Sequence, residues 1–274
     1  MAAGLVVVTG GKAGPGATTL AVGLAGAWAG SGRQVLLVDL DPAGGDVAAH
    51  ISVGEIRGRG VAAVLAAGAG RVEPRGIAAE AVKVAANLHV LIGLPRADAA
   101  GLLRPEAAVS VVRAARHLAG VELVVADAGR LGPGSVAQAL LGLPDAVGVL
   151  VARADVPGAL AAQRALLVAA ETTARPLELV AVGVRGRMSA DVAELAAALE
   201  HPVSGVVPAY WRQLRRAVQS GQLPTAGRLG RAYQVLAAAL WPIDTGEPHT
   251  VAGRRRHRRR RGPIGHSEQE AASA

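Results

Sequence analysis

A doubly wound α/β fold, with a mostly parallel sheet and helices on both faces, is predicted here from three observations. Short β-branched runs alternate with longer Ala/Leu segments along most of the chain. The strand-like runs are continuously apolar, the pattern of strands buried on both faces. The first of them leads through a glycine-rich loop into a helix-like segment. Strand and helix in alternation imply parallel strands joined by crossovers that cover the sheet.

In chain order, residues 5–9, 35–38, 90–92, 123–126, 147–151, 179–184 and 203–207 read as strands, because each is short, apolar and rich in valine or leucine. Residues 18–29, 106–119, 136–141, 158–170, 190–199 and 228–240 read as the helices between and after them. Ser135 follows Gly132-Pro133-Gly134 and reads as a helix N-cap after a turn, not as a nucleophile. Residues 52–59 and 71–83 carry no clear pattern. The domain is expected to span residues 1–242, and residues 243–274 to form a disordered, arginine-rich tail.

Composition narrows the function classes. Of 274 residues 51% are hydrophobic and 18% charged, enough apolar material for a sizeable core. Phenylalanine is absent and aromatics are 2%, so the core must rely on Ala, Val and Leu, and stacking platforms for single-stranded nucleic acid are nearly excluded. The absence of cysteine removes disulfides, thiolate metal sites and a cysteine nucleophile, and is compatible with a cytoplasmic setting. No basic leader precedes the first strand, and no apolar stretch is long enough to read as a membrane span. Of the net charge of +8, seven charges come from Arg254, Arg255, Arg256, Arg258, Arg259, Arg260 and Arg261, which leaves the remainder near neutral. That run suits contact with DNA phosphates or an anionic membrane surface. It lacks the apolar face of a membrane-lying helix, and a solvated tail without a partner is the plain alternative.

The most informative stretch is Gly10-Gly11-Lys12-Ala13-Gly14-Pro15-Gly16-Ala17-Thr18-Thr19. Between a strand and a helix, such a loop cradles phosphate with backbone N–H groups and the helix N-terminus. Gly11-x4-Gly16-x-Thr18 fits the P-loop spacing, but Ala17 stands where the phosphate-binding lysine belongs, and Pro15 has no N–H to donate. Lys12 is one of only two lysines in the chain. Two further strands end in carboxylates: Asp39-Leu40-Asp41-Pro42 and Asp127-Ala128-Gly129. At the carboxyl edge of a parallel sheet, such groups can hold hydrated magnesium or orient water; singly, each would read as a turn or cap.

Lys12-Ala13-Gly14-Pro15-Gly16-Ala17-Thr18-Thr19 resembles the deviant Walker A motif, Lys-Gly-Gly-x-Gly-Lys-Thr-Thr, of the MinD/ParA ATPases. Asp39-Leu40-Asp41-Pro42 matches that family's Asp-x-Asp motif, and Asp127-Ala128-Gly129 resembles its later switch. Asp41-Pro42-Ala43-Gly44-Gly45-Asp46-Val47-Ala48 is most similar to the CpaE/TadZ branch, which serves pilus assembly. The resemblance runs from Leu5 to about Leu240.

The resemblance implies a P-loop NTPase fold that binds ATP and Mg2+ and forms a homodimer. Residues 11–19 (Gly11, Lys12, Ala13, Gly14, Pro15, Gly16, Ala17, Thr18 and Thr19) would surround the phosphates. Lys12 would reach the partner's nucleotide, Asp41 would orient water, and Thr18, Asp39 and Asp127 would serve the metal. Two departures stand out: Ala17 replaces the lysine that holds the β- and γ-phosphates, and residues 181–186 lack the family's adenine-reading asparagine.

Losing one preorganised charge-stabilising group costs roughly 3–4 kcal/mol, about 10²–10³ in rate. The expectation is therefore a degenerate, weakly hydrolysing positioning, partitioning or assembly factor, cytoplasmic or peripheral at membrane or nucleoid. The alternatives are an active partitioning or septum-site ATPase, and a DNA- or membrane-binding scaffold. A dinucleotide-dependent oxidoreductase fits poorly, since Gly14-x-Gly16-x-x-Thr19 is not G-x-G-x-x-G and Thr18, Asp41 and Asp127 go unused.

Overall fold

Eight stretches pair into one sheet: Gly4–Gly10 (β1), Val35–Asp39 (β2), Val82–Ala85 (β3), Leu88–Leu91 (β4), Leu123–Arg130 (β5), Ala146–Arg153 (β6), Glu178–Val184 (β7) and Val203–Pro208 (β8). Their order is β3-β4-β2-β5-β1-β6-β7-β8. Neighbours run parallel except β3 and β4, which form an antiparallel pair at one edge. The computed structural model describes residues 2–14, 16–51, 60–68, 71–94, 97–173, 175–184 and 188–241. These lie within one compact unit, Met1–Pro242. Pro15, residues 52–59, residues 185–187 and the expected tail with its seven arginines lie outside the described residues.

The helices are Ala17–Gly30 (α1), Val47–His50 (α2), Val61–Ala67 (α3), Pro74–Glu80 (α4), Pro105–Arg116 (α5), Val136–Leu141 (α6), Val156–Ala170 (α7), Met188–Leu199 (α8), Trp211–Gln219 (α9) and Gly227–Leu240 (α10). Alternation along β1 divides the core between the two faces. Leu5 and Val7 join a cluster with Val111, Leu140 and Ala162 of α5, α6 and α7. Val6 and Val8 join another with Leu20, Trp28 and Tyr233 of α1 and α10. All four β1 side chains are fully buried, and each such aliphatic group contributes roughly 1.5–3 kcal/mol.

The predicted strands and helices are present, with shifted ends. The fourth strand begins at Leu88, because its pairing with Val35 of β2 starts there. α5 stops at Arg116, short of the expected 119. α7 begins earlier than Gly158, because Asp155 caps it by accepting from the Gly158 N–H at 2.7 Å and Pro157 fits the first turn. Ser135 is an N-cap, accepting from the Gln138 N–H at 3.2 Å.

β3 and α9 escaped the sequence reading for physical reasons. β3 is short and partly exposed, with Lys83 on an edge strand, where lysine discourages further pairing. α9 carries Arg212, Arg215 and Arg216 and has no buried residue, so it lacks an Ala/Leu signature.

α1 and α10 pack closely. The Trp28 indole N–H donates to the Ala237 carbonyl at 3.1 Å, and a Cβ at Gly23 would stand 2.5 Å from the Tyr233 ring. Tyr233 is 1% exposed and has little room to retreat. Gly23→Ala is therefore expected to destabilise the fold by about 1–3 kcal/mol. Urea denaturation should show a lower midpoint with an unchanged slope; an unchanged midpoint would contradict this packing.

Candidate functional site

The glycine loop leaves β1 at the carboxyl edge of the sheet, between β5 and β6, where open α/β sheets place their ligands. Gly16 forms the N-cap of α1 at φ 97°, a conformation that suits glycine, and its carbonyl accepts from the Leu20 N–H at 2.9 Å. A cavity of about 1100 Å3 opens here. Lys12, Ala13, Gly14, Gly16, Ala17, Thr18 and Thr19 line it, as does Asp41. Gly11 instead packs against the Ala161 carbonyl of α7, and Pro15 lies outside the described residues.

Asp39 and Asp127 sit beneath the cavity, side by side on paired strands and fully buried. Asp39 accepts from the Asp41 N–H at 3.3 Å and the Val47 N–H at 3.2 Å, which ties the loop after β2 to the start of α2. Gly45 and Gly93 press on its carboxyl group so closely that neither position has room for a Cβ. Burial first, and then the Asp127 charge, push the Asp39 pKa well up.

Asp127 differs. Neither of its oxygens makes a hydrogen bond of ordinary geometry. Burial raises its pKa, while the nearby Thr18 hydroxyl and Gly129 N–H partly oppose this. Asp41 is half-buried at the cavity wall. Its pKa is raised by burial and by Asp46, against a hydrogen bond from the Ala43 N–H at 2.9 Å. Gly129, at φ 64°, lies against Asp41: a Cβ there would stand 2.5 Å from the carboxylate.

Several cavity residues were not singled out from sequence. Arg130 and Arg153 end the strands on either side of β1. Arg153 is held by Asp155 at 2.8 Å. Burial would raise the Asp155 pKa, but the Arg153 and Gly158 hydrogen bonds and the Lys12 charge bring it below the ordinary value. The signal for both arginines was their place at strand ends. His50 bonds the Thr19 hydroxyl at 3.0 Å, a pairing without a sequence signature. Tyr210 and Trp211, which follow Pro208 and read from sequence as a surface anchor, core packing or plain exposure, also line the cavity, and Trp211 is 53% exposed.

The parallel sheet, the strand–loop–helix cradle and the carboxylates under it define a nucleotide-binding α/β domain of the P-loop type. Residues 6–224 match the family model described as CbiA, the CobQ/CobB/MinD/ParA nucleotide binding domain, and the chain belongs to that family. No curated protein matches it in sequence. A ParA family ATPase from Chlorobium tepidum TLS superposes with a TM-score of 0.74 at 17% identity, over 86% of this chain and 99% of the other. The cell division ATPase MinD of Pyrococcus furiosus gives 0.71 at 18%, over 86% and 97%. MinD of Pyrococcus horikoshii OT3, solved with Mg-ADP, gives 0.68 at 16%, over 86% and 95%. At these identities the likeness speaks for the fold.

The orphaned Asp127 carboxylate next to the Thr18 hydroxyl suits hydrated magnesium, which needs only one or two protein groups. Among the described residues, no cluster of three or more acidic or histidine side chains forms a protein-only metal cage.

The unmatched burial of Asp127 has a pH consequence. A carboxyl group whose folded pKa lies above its unfolded value binds more protons when folded, so stability falls as pH rises from the unfolded value through the folded one. Asp127→Asn is therefore expected to stabilise the ligand-free protein at pH 8 by about 2 kcal/mol, with the gain vanishing below about pH 4. Thermal denaturation across this range checks it; a variant less stable at pH 8 would show that the charged form is favoured in the fold.

Proposed function

We propose that this chain is a MinD/ParA-type switch that binds a nucleotide in the cavity, hydrolyses it slowly or not at all, and acts through homodimerisation as a positioning, partitioning or assembly factor. The observation that carries this is Ala17. Thr18 and Asp41 line a cavity of about 1100 Å3 and Asp127 lies near Thr18, while the position of the phosphate-gripping lysine holds a methyl group, 7% exposed.

In this reading Gly14, Gly16 and the N-terminus of α1 hold phosphate oxygens. Thr18 and Asp127 hold Mg2+, which when bound would neutralise phosphate charge. Asp41, at the cavity wall, accepts a hydrogen bond from an attacking water. Asp39, bonded to the Asp41 and Val47 N–H groups, organises the loop that carries Asp41 and would serve the metal from behind it. Lys12 faces a second copy of the chain. Similarity around residues 41–48 favours the CpaE/TadZ branch.

Steady-state phosphate release tests the reading. Wild type is expected to be at the detection limit, and Ala17→Lys to bind ATP more tightly and hydrolyse it faster by about 10²-fold or more. Wild type turning over as fast as Ala17→Lys would support an active partitioning or septum-site ATPase instead.

Dimerisation is tested separately. Light scattering should show a dimer of the wild type at tens of micromolar, weakened by Lys12→Glu, because a like charge is then brought near Asp155 and, in the dimer, the partner's carboxylates. A wild type that stays monomeric with and without Mg-ATP would remove the dimer.

The arginine run at residues 254–261 favours a second role, contact with DNA or anionic lipid. No helix among the described residues is long and apolar enough to cross a membrane. Binding through the run would weaken steeply with salt.

A further inference from the structure

We propose that Arg130 is the phosphate-gripping cation of this cavity, taking over from β5 the charge that Ala17 cannot provide from the loop, and that it selects nucleoside di- and triphosphates over monophosphates. This rests on the nucleotide reading above.

The first support is an irregularity in the sheet. β1 and β5 pair in step from Gly4 with Leu123 to Val8 with Asp127, after which Gly10 faces Arg130. Between these pairs β5 has one residue more than β1, so the strand bulges at Ala128 and Gly129. An extra residue re-aims the side chains that follow it, and such bulges occur beside active sites. Here it brings Arg130 level with Gly10, where the glycine loop begins. The Leu131 N–H donates to the Gly10 carbonyl at 2.9 Å, and the Thr9 hydroxyl donates to the Gly129 carbonyl at 2.9 Å. The backbone on both sides of Arg130 is thus pinned to the strand that carries the loop.

The second support is charge. Among the described residues, three cations line the cavity: Lys12, Arg130 and Arg153. Two of them act on one acid, since Arg153 bonds Asp155 at 2.8 Å and the Lys12 charge lowers the Asp155 pKa. The Arg130 side chain is exposed, and among the described residues it has no hydrogen bond or ion pair. An unmatched guanidinium beside a loop of backbone N–H groups adds to a field that attracts anions. Its planar fork can bond two oxygens of one phosphate, and unlike a lysine in the loop it approaches from the neighbouring strand.

The consequence is a split between binding and catalysis. A cation held on the sheet edge can retain the phosphates while lacking the position from which a loop lysine would follow the transferring group. Nucleotide binding and slow hydrolysis then coexist.

Fluorescent ATP, ADP and AMP analogues titrated into the full chain with Mg2+ test this. Arg130→Ala and the length-matched Arg130→Gln are each expected to weaken ATP and ADP by about 10–100-fold and AMP by less than about twofold. Adding Ala17→Lys to Arg130→Ala should restore most of the ATP affinity. Arg164→Ala, the same charge change on the exposed face of α7, should alter affinity by less than about twofold. ATP binding unchanged in both Arg130 variants would overturn the role of Arg130 and leave the nucleotide reading standing. An equal loss for AMP would also overturn it, by showing a general effect on the cavity. A wild type that binds none of the three would overturn the nucleotide reading, and Arg130's role with it.

Discussion

β1 is the constraint on which the remaining structure depends. Leu5, Val6, Val7 and Val8 are fully buried, alternately against each helical layer, and both edges of the strand are paired along its length. A strand held on four sides has no freedom at its end. The loop that leaves it therefore starts from a fixed point, with β5 and β6 delivering their own terminal residues to either side. The ligand cavity follows from this: it is the space that three parallel strand ends and the start of α1 must leave between them. With few aromatics available, the layers close largely by backbone proximity, as where Gly23 admits the ring of Tyr233, one of the few large buried side chains.

The same arrangement explains why two carboxylates can be buried under the loop. Asp39 and Asp127 face each other across the β2–β5 pairing, and among the described residues neither has a cation bonded to it. Their environments are unequal. Asp39 accepts two backbone N–H groups and is sealed by Gly45 and Gly93, so its work is to hold the turn that presents Asp41. Asp127 has no hydrogen bond of ordinary geometry, only the nearby Thr18 hydroxyl, the first of α1, and the Gly129 N–H. A carboxylate buried at this cost and so weakly partnered leaves room for a positive charge. Spacing alone made these two aspartates equivalent, whereas their neighbours separate them.

The architecture was legible where periodicity and composition were strong. The continuous apolar runs marked the central strands, and the strand–loop–helix passage at residues 5–29 located the cradle. Elements that owe their existence to position escaped notice: β3 is a strand because β4 lies beside it, and α9 is a helix without a buried face. Of the motif residues read from sequence, Lys12, Thr18 and Asp41 line the cavity and Asp127 lies near Thr18, whereas the residues that support them carried no sequence signal. His50 reaches Thr19 from α2, 31 positions along the chain, and Asp155 meets the Lys12 charge from the start of α7. No local pattern encodes such pairings, which arise when separate strand ends converge.

Ala17 poses the question of what holds a polyanion when the usual lysine is gone. Backbone N–H groups and the N-terminus of α1 remain, but their contribution is modest and spread over several atoms. Lys12 and Arg153 both lie in the field of Asp155, so their charge is already partly answered within the fold. Among the described residues, the positive charge left over is at the end of β5, behind a bulge whose effect is to bring Arg130 level with the start of the loop. A cation in the loop moves with the phosphates it grips, whereas one on the sheet edge is anchored to the core. The first arrangement favours turnover and the second retention, and retention is what the proposed positioning role would require.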